Sequence, residues 1–219
     1  MKNIEVVPAI LRNTLEGIRE DWGKIYQAAS HVQIDITDGI FAGDGSFRQV
    51  REFKKLPEAG KIELHMMVHT PANYVDDIID LQPARCVFHL EAFAGTGDLE
   101  FVYAKLRQET QTELGLALNP ASPNERLYEY VRLLNYVLFM GYNAGWAGQA
   151  INPIVFNKIR EFRARYAEMP IEVDGQVDKQ TMGEYAAAGA TVFCSNGAIF
   201  KAGNPVENLR QLELLARAG

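Results

Sequence analysis

Val32-Gln33-Ile34-Asp35-Ile36-Thr37-Asp38-Gly39 is the stretch on which the fold turns. It reads as a short strand that breaks at Asp38-Gly39. Successive strand side chains point to opposite faces, so Gln33, Asp35 and Thr37 share one face and Val32, Ile34 and Ile36 the other. The second set is β-branched and aliphatic, suited to lying beneath a helix. The first set carries a carboxylate toward the strand's C-terminal end. A carboxylate there is expensive to bury, so it needs a partner or a task.

Outward from this stretch the pattern repeats. Short apolar runs at 4–10, 31–37, 61–68, 85–90, 112–118, 134–141, 170–174 and 191–195 read as strands. Amphipathic segments near 14–29, 46–55, 71–80, 98–109, 122–132, 152–167, 179–188 and 204–217 read as helices. Eight βα units imply a parallel sheet covered by helices. The count favours a closed (β/α)₈ TIM barrel over an open doubly wound sheet. No linker-like or low-complexity segment interrupts the chain, so residues 1–219 are read as a single domain. Thr70-Pro71 reads as an N-cap followed by proline at the first helical position. Asn119-Pro120 and Asn152-Pro153 open further helices, and Gly189 is placed to end one.

The 219 residues carry a formal net charge of -6, which argues against nucleic acid as the main partner. No apolar run approaches the ~18 residues of a membrane span, and the N-terminus lacks a secretory signal. Cys86 and Cys194 form no CxxC pair and suit a reducing compartment, as small buried apolar residues. A cytoplasmic protein is the expectation.

Barrel active sites are built at the C-terminal ends of the strands. Those ends offer Asp35, His65, His89 and Asp174, with Met140 leading into the glycine-bearing loop 141–149. Two carboxylates with imidazole between them suit proton transfer to and from carbon on opposite faces. Asp and His are also metal ligands. The same residues equally fit turn and cap positions for the aspartates and core positions for the histidines. Loops 145–149, 175–176 and 195–197 are candidate phosphate loops, where glycine lets the backbone approach an anion.

Taken together, the motifs resemble the ribulose-phosphate 3-epimerase family. Pro8-Ala9-Ile10-Leu11 resembles its Pro-Ser-Ile-Leu, and residues 32–41 resemble its His-Val-Asp-Val-Met-Asp-Gly-x-Phe stretch. Residues 64–68, 88–92, 115–123, 140–149, 171–177 and 193–200 follow that family's remaining motifs in order. The resemblance implies interconversion of D-ribulose 5-phosphate and D-xylulose 5-phosphate at C3, through an enediolate. It implies Asp35 and Asp174 as acid and base. It further implies a divalent metal (zinc, iron, manganese or magnesium) at Asp35, His65, Asp174 and the position of Gln33. Met67 and Met140 match methionines of the substrate site. Gly145, Trp146, Ala147, Gly148, Gly175, Gln176, Asn196 and Gly197 fall on the substrate-binding loops. A phosphorylated sugar is the implied ligand and a homo-oligomer the implied assembly.

The chain departs from the family within the site. Gln33 stands where a metal histidine is expected, and a neutral amide oxygen is a poorer zinc donor than imidazole. His31, two residues earlier, lies ~6–7 Å lower on the strand. Ala9 replaces a serine, Thr37 a methionine, Gln176 a glycine, and Asn196-Gly197 a Gly-Ser pair. Two alternatives follow: an epimerase for another ketose phosphate, or a non-catalytic barrel that binds a phosphorylated ligand.

Overall fold

A strand with aliphatic side chains on one face and mixed ones on the other can bury both only between a helix layer and a closed interior. The chain does this eight times. In the computed structural model, which describes residues 4–93, 99–145 and 148–218, β1 (Glu5–Ile10), β2 (Val32–Thr37), β3 (Ile62–Met67), β4 (Arg85–His89), β5 (Glu113–Leu118), β6 (Tyr136–Met140), β7 (Ile171–Asp174) and β8 (Val192–Ser195) close into a barrel in sequence order. All neighbours are parallel, and β1 pairs with β8. The expected TIM barrel is the observed fold.

Register fixes the site. Asp35 lies beside His65, Thr37 beside Met67, and Met140 beside Asp174. Outward residues such as Ile34, Leu64, Phe88, Phe139, Val173 and Phe193 are fully buried in the layer between strands and helices. Each such side chain contributes about 1.5–3 kcal/mol on leaving water. The barrel interior is different. It holds small apolar clusters together with buried Gln33, Asp35, Glu63, His65, His89 and Glu172.

The helices that complete the units are α1 (Leu15–Ile25), α2 (Val75–Leu81), α3 (Leu99–Glu109), α4 (Glu125–Tyr128), α5 (Ile154–Arg165), α6 (Met182–Ala188), α7 (Gly197–Phe200) and α8 (Pro205–Ala218). In α1, Thr14 caps the first turn by accepting the Gly17 N–H, and the buried Trp22 donates its indole N–H to the Pro57 carbonyl.

Several expectations need correction. The segment 46–55 forms only a 3₁₀ turn at Val50–Lys55, because Ser46 and Phe47 give their N–H groups to the carbonyls of Thr37 and Arg12 instead. The segment 122–132 breaks into α4 and a 3₁₀ turn at Val131–Leu133. Pro71 starts a 3₁₀ turn, but the Thr70 side chain makes no cap bond. The sequence pattern does not predict the short α7; at four residues it is too brief for a periodic signal. Among the described residues no helix is long and apolar enough to cross a membrane.

Candidate active site

Asp38, after β2, closes the turn that the sequence marks. Its carboxylate accepts N–H groups of Ile40, Phe41 and His69 at 2.9, 2.8 and 2.6 Å. This holds Phe41 against the His89 ring, 5.0 Å between centroids. The second strand therefore ends rigidly, with Asp35 aimed into the barrel mouth.

There Gln33 is the hub. Its amide nitrogen donates to Asp35 Oδ1 at 2.7 Å and to Asp174 Oδ2 at 2.9 Å, and lies 3.4 Å from His65 Nδ1. His65 Nδ1 is 3.1 Å from Asp35 and 3.2 Å from Asp174. Its other nitrogen meets His89 Nε2 at 2.9 Å. Burial alone would pull the His65 pKa down, but hydrogen bonds to Asp174 and Asp35 outweigh it and raise it to about 10. His89 goes the other way: burial holds it toward the neutral form, and its neighbour His65 adds to that pull. Burial raises the Asp35 pKa, opposed by the His65 hydrogen bond and reinforced by the charge of Asp174.

Asp35, His65 and Asp174 bring their ligand atoms within 4.8 Å of one another, so three donors suited to a divalent cation converge here. Gln33 supplies the fourth side of the group. Its amide oxygen points away, toward Cys194 Sγ at 3.1 Å. The donor set fits a cation through three protein atoms, and through a fourth once the amide turns over. His31 takes no part. It sits near the opposite end of the strand, where its Nδ1 meets Glu5 at 2.5 Å.

Cys194 needs a correction in kind. It is buried, as expected, but it is not merely a small apolar side chain. Its sulfur lies 2.5 Å from Glu172 Oε1 as well as 3.1 Å from the Gln33 oxygen, so its one S–H is shared between them and links the site to a polar interior below. Further down, Arg85 holds Glu5, Glu63 and Glu113. A cavity of about 410 Å³ lies at that N-terminal mouth, away from the aspartates.

Among the described residues several cavities open on the C-terminal side, and two of them border Asp174. One of about 40 Å³ sits over the aspartates, walled by Ala9, Met67, Met140 and Gly145 among others. The other, of about 490 Å³, is walled by Gly148, Gln176, Asn196, Gly197 and Lys201 among others. Asn196 fixes the rim by donating to the Ala9 carbonyl at 2.7 Å. Asn119, from the Asn-Pro turn, accepts the Ala144 N–H at 3.0 Å and so positions the loop after β6.

The comparisons with known proteins agree with this geometry. A model described as the ribulose-phosphate 3 epimerase family matches residues 5–200. The chain belongs to the ribulose-phosphate 3-epimerase family. The ribulose-phosphate 3-epimerase of Escherichia coli (strain K12) is 30% identical over 207 residues, covering 91% of this chain and 90% of that protein. That of Schizosaccharomyces pombe is 27% identical over 213 residues, covering 94% and 91%. Among solved structures, KGPDC from Streptococcus mutans superposes with a TM-score of 0.69 at 10% identity, over 99% of each chain. A mutant tryptophan synthase alpha-subunit from Pyrococcus furiosus gives 0.71 at 14%, over 100% of each. At such identities these structures speak for the fold alone.

Within the family frame, the structure brings Gln33, Asp35, His65, Met67, Met140 and Asp174 to one point, with Gly145 beside them. Gly148, Gln176, Asn196 and Gly197 line the larger cavity, and Gly175 precedes Gln176 at its edge. Trp146 and Ala147 lie outside the described residues. Sequence reasoning missed Tyr142, which lines both cavities, and Lys201, which lines the larger one. Tyr142 follows Gly141 directly in a glycine-bearing loop, and Lys201 follows the last short helix. Those placements were the available signals.

Proposed function

We propose that the chain interconverts D-ribulose 5-phosphate and D-xylulose 5-phosphate by two-base proton transfer at C3. The observation that carries this reading is the convergence of Asp35 and Asp174, from β2 and β7, on one amide and one imidazole beneath a cavity. Membership of the family supports the substrate.

In one direction Asp174 takes the C3 proton, and the C–H electrons move toward C2 and its carbonyl oxygen, giving an enediolate. Asp35 then delivers a proton to the opposite face of C3. In the reverse direction the roles exchange, as microscopic reversibility requires. Burial favours the protonated form of Asp35, which suits it to hold the proton to be delivered. The raised pKa of His65 keeps positive charge beside the developing enediolate. Met67 and Met140, each only 3% exposed, keep bulk water from the carbanionic centre. Asp35, His65 and Asp174 would hold a divalent ion, with Gln33 joining through its amide oxygen. When bound, such an ion supplies further positive charge opposite the negative charge that grows on the substrate.

The Gln33 amide between the carboxylates also favours a second reading, a barrel that binds a phosphorylated sugar without turning it over. One experiment separates the two. D-ribulose 5-phosphate is incubated with the protein in deuterated buffer, with and without added zinc, iron(II), manganese or magnesium, and followed by NMR. Deuterium at C3 together with xylulose 5-phosphate is the expected result, lost in Asp174→Asn. Binding without exchange under every condition refutes the epimerase. Exchange only with another ketose phosphate moves the substrate and keeps the chemistry.

A further inference from the structure

Below the aspartates the barrel holds a second convergence of donors. Glu63 lies two residues before His65 on β3, Glu172 two before Asp174 on β7, and Gln33 two before Asp35 on β2, so each points inward one layer lower. Two residues of strand separate the layers by about 6–7 Å. Cys194, beside Asp174 in register, turns its sulfur toward the lower layer. Ligand atoms of Glu63, Glu172 and Cys194 come within 4.8 Å of one another, and the three residues are 0, 0 and 1% exposed.

Two carboxylates this close and this dry need positive charge between them. Arg85 serves only one edge of the group. It reaches Glu63 Oε2 at 3.4 Å and turns its other nitrogens to Glu5 and Glu113. Glu63 Oε1 and Glu172 Oε2, both buried, meet no hydrogen-bond partner among the described residues. Gln33 supplies one donor more. Its nitrogen bonds Asp35 and Asp174, which leaves its oxygen on the lower side, 3.1 Å from Cys194 Sγ. One sulfur and three oxygens from four strands suit a tetrahedral ion. Sulfur among the donors selects zinc or cobalt(II) over magnesium or calcium. Zinc holds sulfur at ~2.3 Å and carboxylate oxygen at ~2.0–2.2 Å, so Cys194 Sγ and Glu172 Oε1, now 2.5 Å apart, spread by about 1 Å to admit it. The N-terminal cavity of about 410 Å³ reaches Glu172 and offers the way in.

We propose that the barrel interior binds a divalent cation of the zinc or cobalt(II) type on Glu63, Glu172 and Cys194, with the Gln33 amide oxygen as fourth ligand. The Cys194 S–H proton passes to the buffer as the sulfur–metal bond forms. The bound cation holds Gln33 in the orientation that donates to both aspartates. This site is separate from the group Asp35, His65 and Asp174, and it does not depend on which substrate that group turns over.

Cobalt(II) is the probe. It is titrated into the full chain after treatment with a chelator, and the thiolate-to-cobalt charge-transfer absorption in the near ultraviolet is followed. Asp35, His65 and Asp174 offer only oxygen and nitrogen and give no such band. Wild type should show the band, and added zinc should displace it. Cys194→Ser should abolish it. Glu63→Gln should weaken the cobalt affinity read from it by about tenfold or more. Circular dichroism first shows the same fold for each variant. Cys86→Ser, altered in the outer core, and Asp174→Asn, altered in the upper group, should both keep the band. Retention of the band in an Asp174→Asn variant that has lost C3 exchange separates this site from the epimerase reading. No band in wild type at millimolar cobalt overturns the proposal and leaves the two carboxylates bridged by a proton. A band that survives Cys194→Ser, disappears in Asp174→Asn or Cys86→Ser, or keeps its affinity in Glu63→Gln overturns it too.

Discussion

Gln33→Glu is the sharpest test of how Asp35 and Asp174 are held apart from one another. The substitution conserves shape and exchanges the amide nitrogen for an oxygen. Gln33 is fully buried, and its nitrogen donates to Asp35 at 2.7 Å and to Asp174 at 2.9 Å. The bond to the Asp174 carboxylate is worth about 1.5–3 kcal/mol and the one to Asp35, whose burial favours its protonated form, about 0.5–1.5 kcal/mol, so losing both removes about 2–4.5 kcal/mol. An ionised carboxyl at this fully buried position would add an unpaired charge to that loss, so the introduced carboxyl takes up a proton instead. Carrying a proton at pH 8 on a group whose unfolded pKa is ~4.3 costs about 5 kcal/mol. With the proton bound, a destabilisation of about 5 kcal/mol at pH 8 follows. The sign of its pH dependence is fixed as well. The folded variant binds one proton more than the unfolded chain, so its stability falls as pH rises and recovers by about 1.4 kcal/mol per unit as pH drops toward ~4.3. Urea unfolding of wild type and variant at pH 8, 7 and 6, in buffer containing a chelator, measures both quantities. A variant as stable as wild type at pH 8, or a difference that does not change with pH, would refute an amide nitrogen bridging the two aspartates.

Three other outcomes can be checked. Lys201→Ala should weaken inorganic phosphate binding about three- to tenfold by removing an ammonium from the larger cavity, with the loss fading at high salt; unchanged affinity would place Lys201 outside the anion site. Glu91 accepts hydrogen bonds from Asn119 N–H at 2.9 Å and the Ser122 hydroxyl at 2.6 Å. Burial would raise its pKa, but His89, Ser122 and Asn119 lower it from 4.5 to about 2. The His89 nitrogen is 3.6 Å away, beyond hydrogen-bond reach, so the effect on stability is set at about 2 kcal/mol. A depressed carboxylate stabilises above its unfolded pKa, so Glu91→Gln should unfold more easily at neutral pH, with the gap from wild type closing as pH falls from 4.5 toward 2. Gly145→Ala should lower C3 exchange more than it lowers thermal stability. At φ 109° an added Cβ would meet the Ala42 methyl at 2.6 Å and push the loop after β6 off the β2 loop; normal exchange would show that this contact does not shape the site.

Much of this protein was legible one residue at a time. The eight strands were readable because parallel strands buried on both faces need near-continuous apolar runs, and the helix layer imposes its own period between them. Asp35, His65 and Asp174 stood out because ionisable groups at strand ends violate that apolar pattern. The segment 122–132 misleads because its pattern is helical while its backbone is split between α4 and the Val131–Leu133 turn.

What the chain alone could not determine is contact across distance. Gln33 looked like a missing metal ligand; folding places its amide against a carboxylate 141 residues away and against a cysteine thiol 161 away. Tyr142 carried no signal by its residue type, because a phenol becomes notable only where folding sets it in the wall shared by two cavities. Strand and barrel follow from periodicity, which is a local property of the sequence. The orientation of one amide, and the wall between two cavities, are set by which side chains the closed barrel brings face to face, and only tertiary structure decides that.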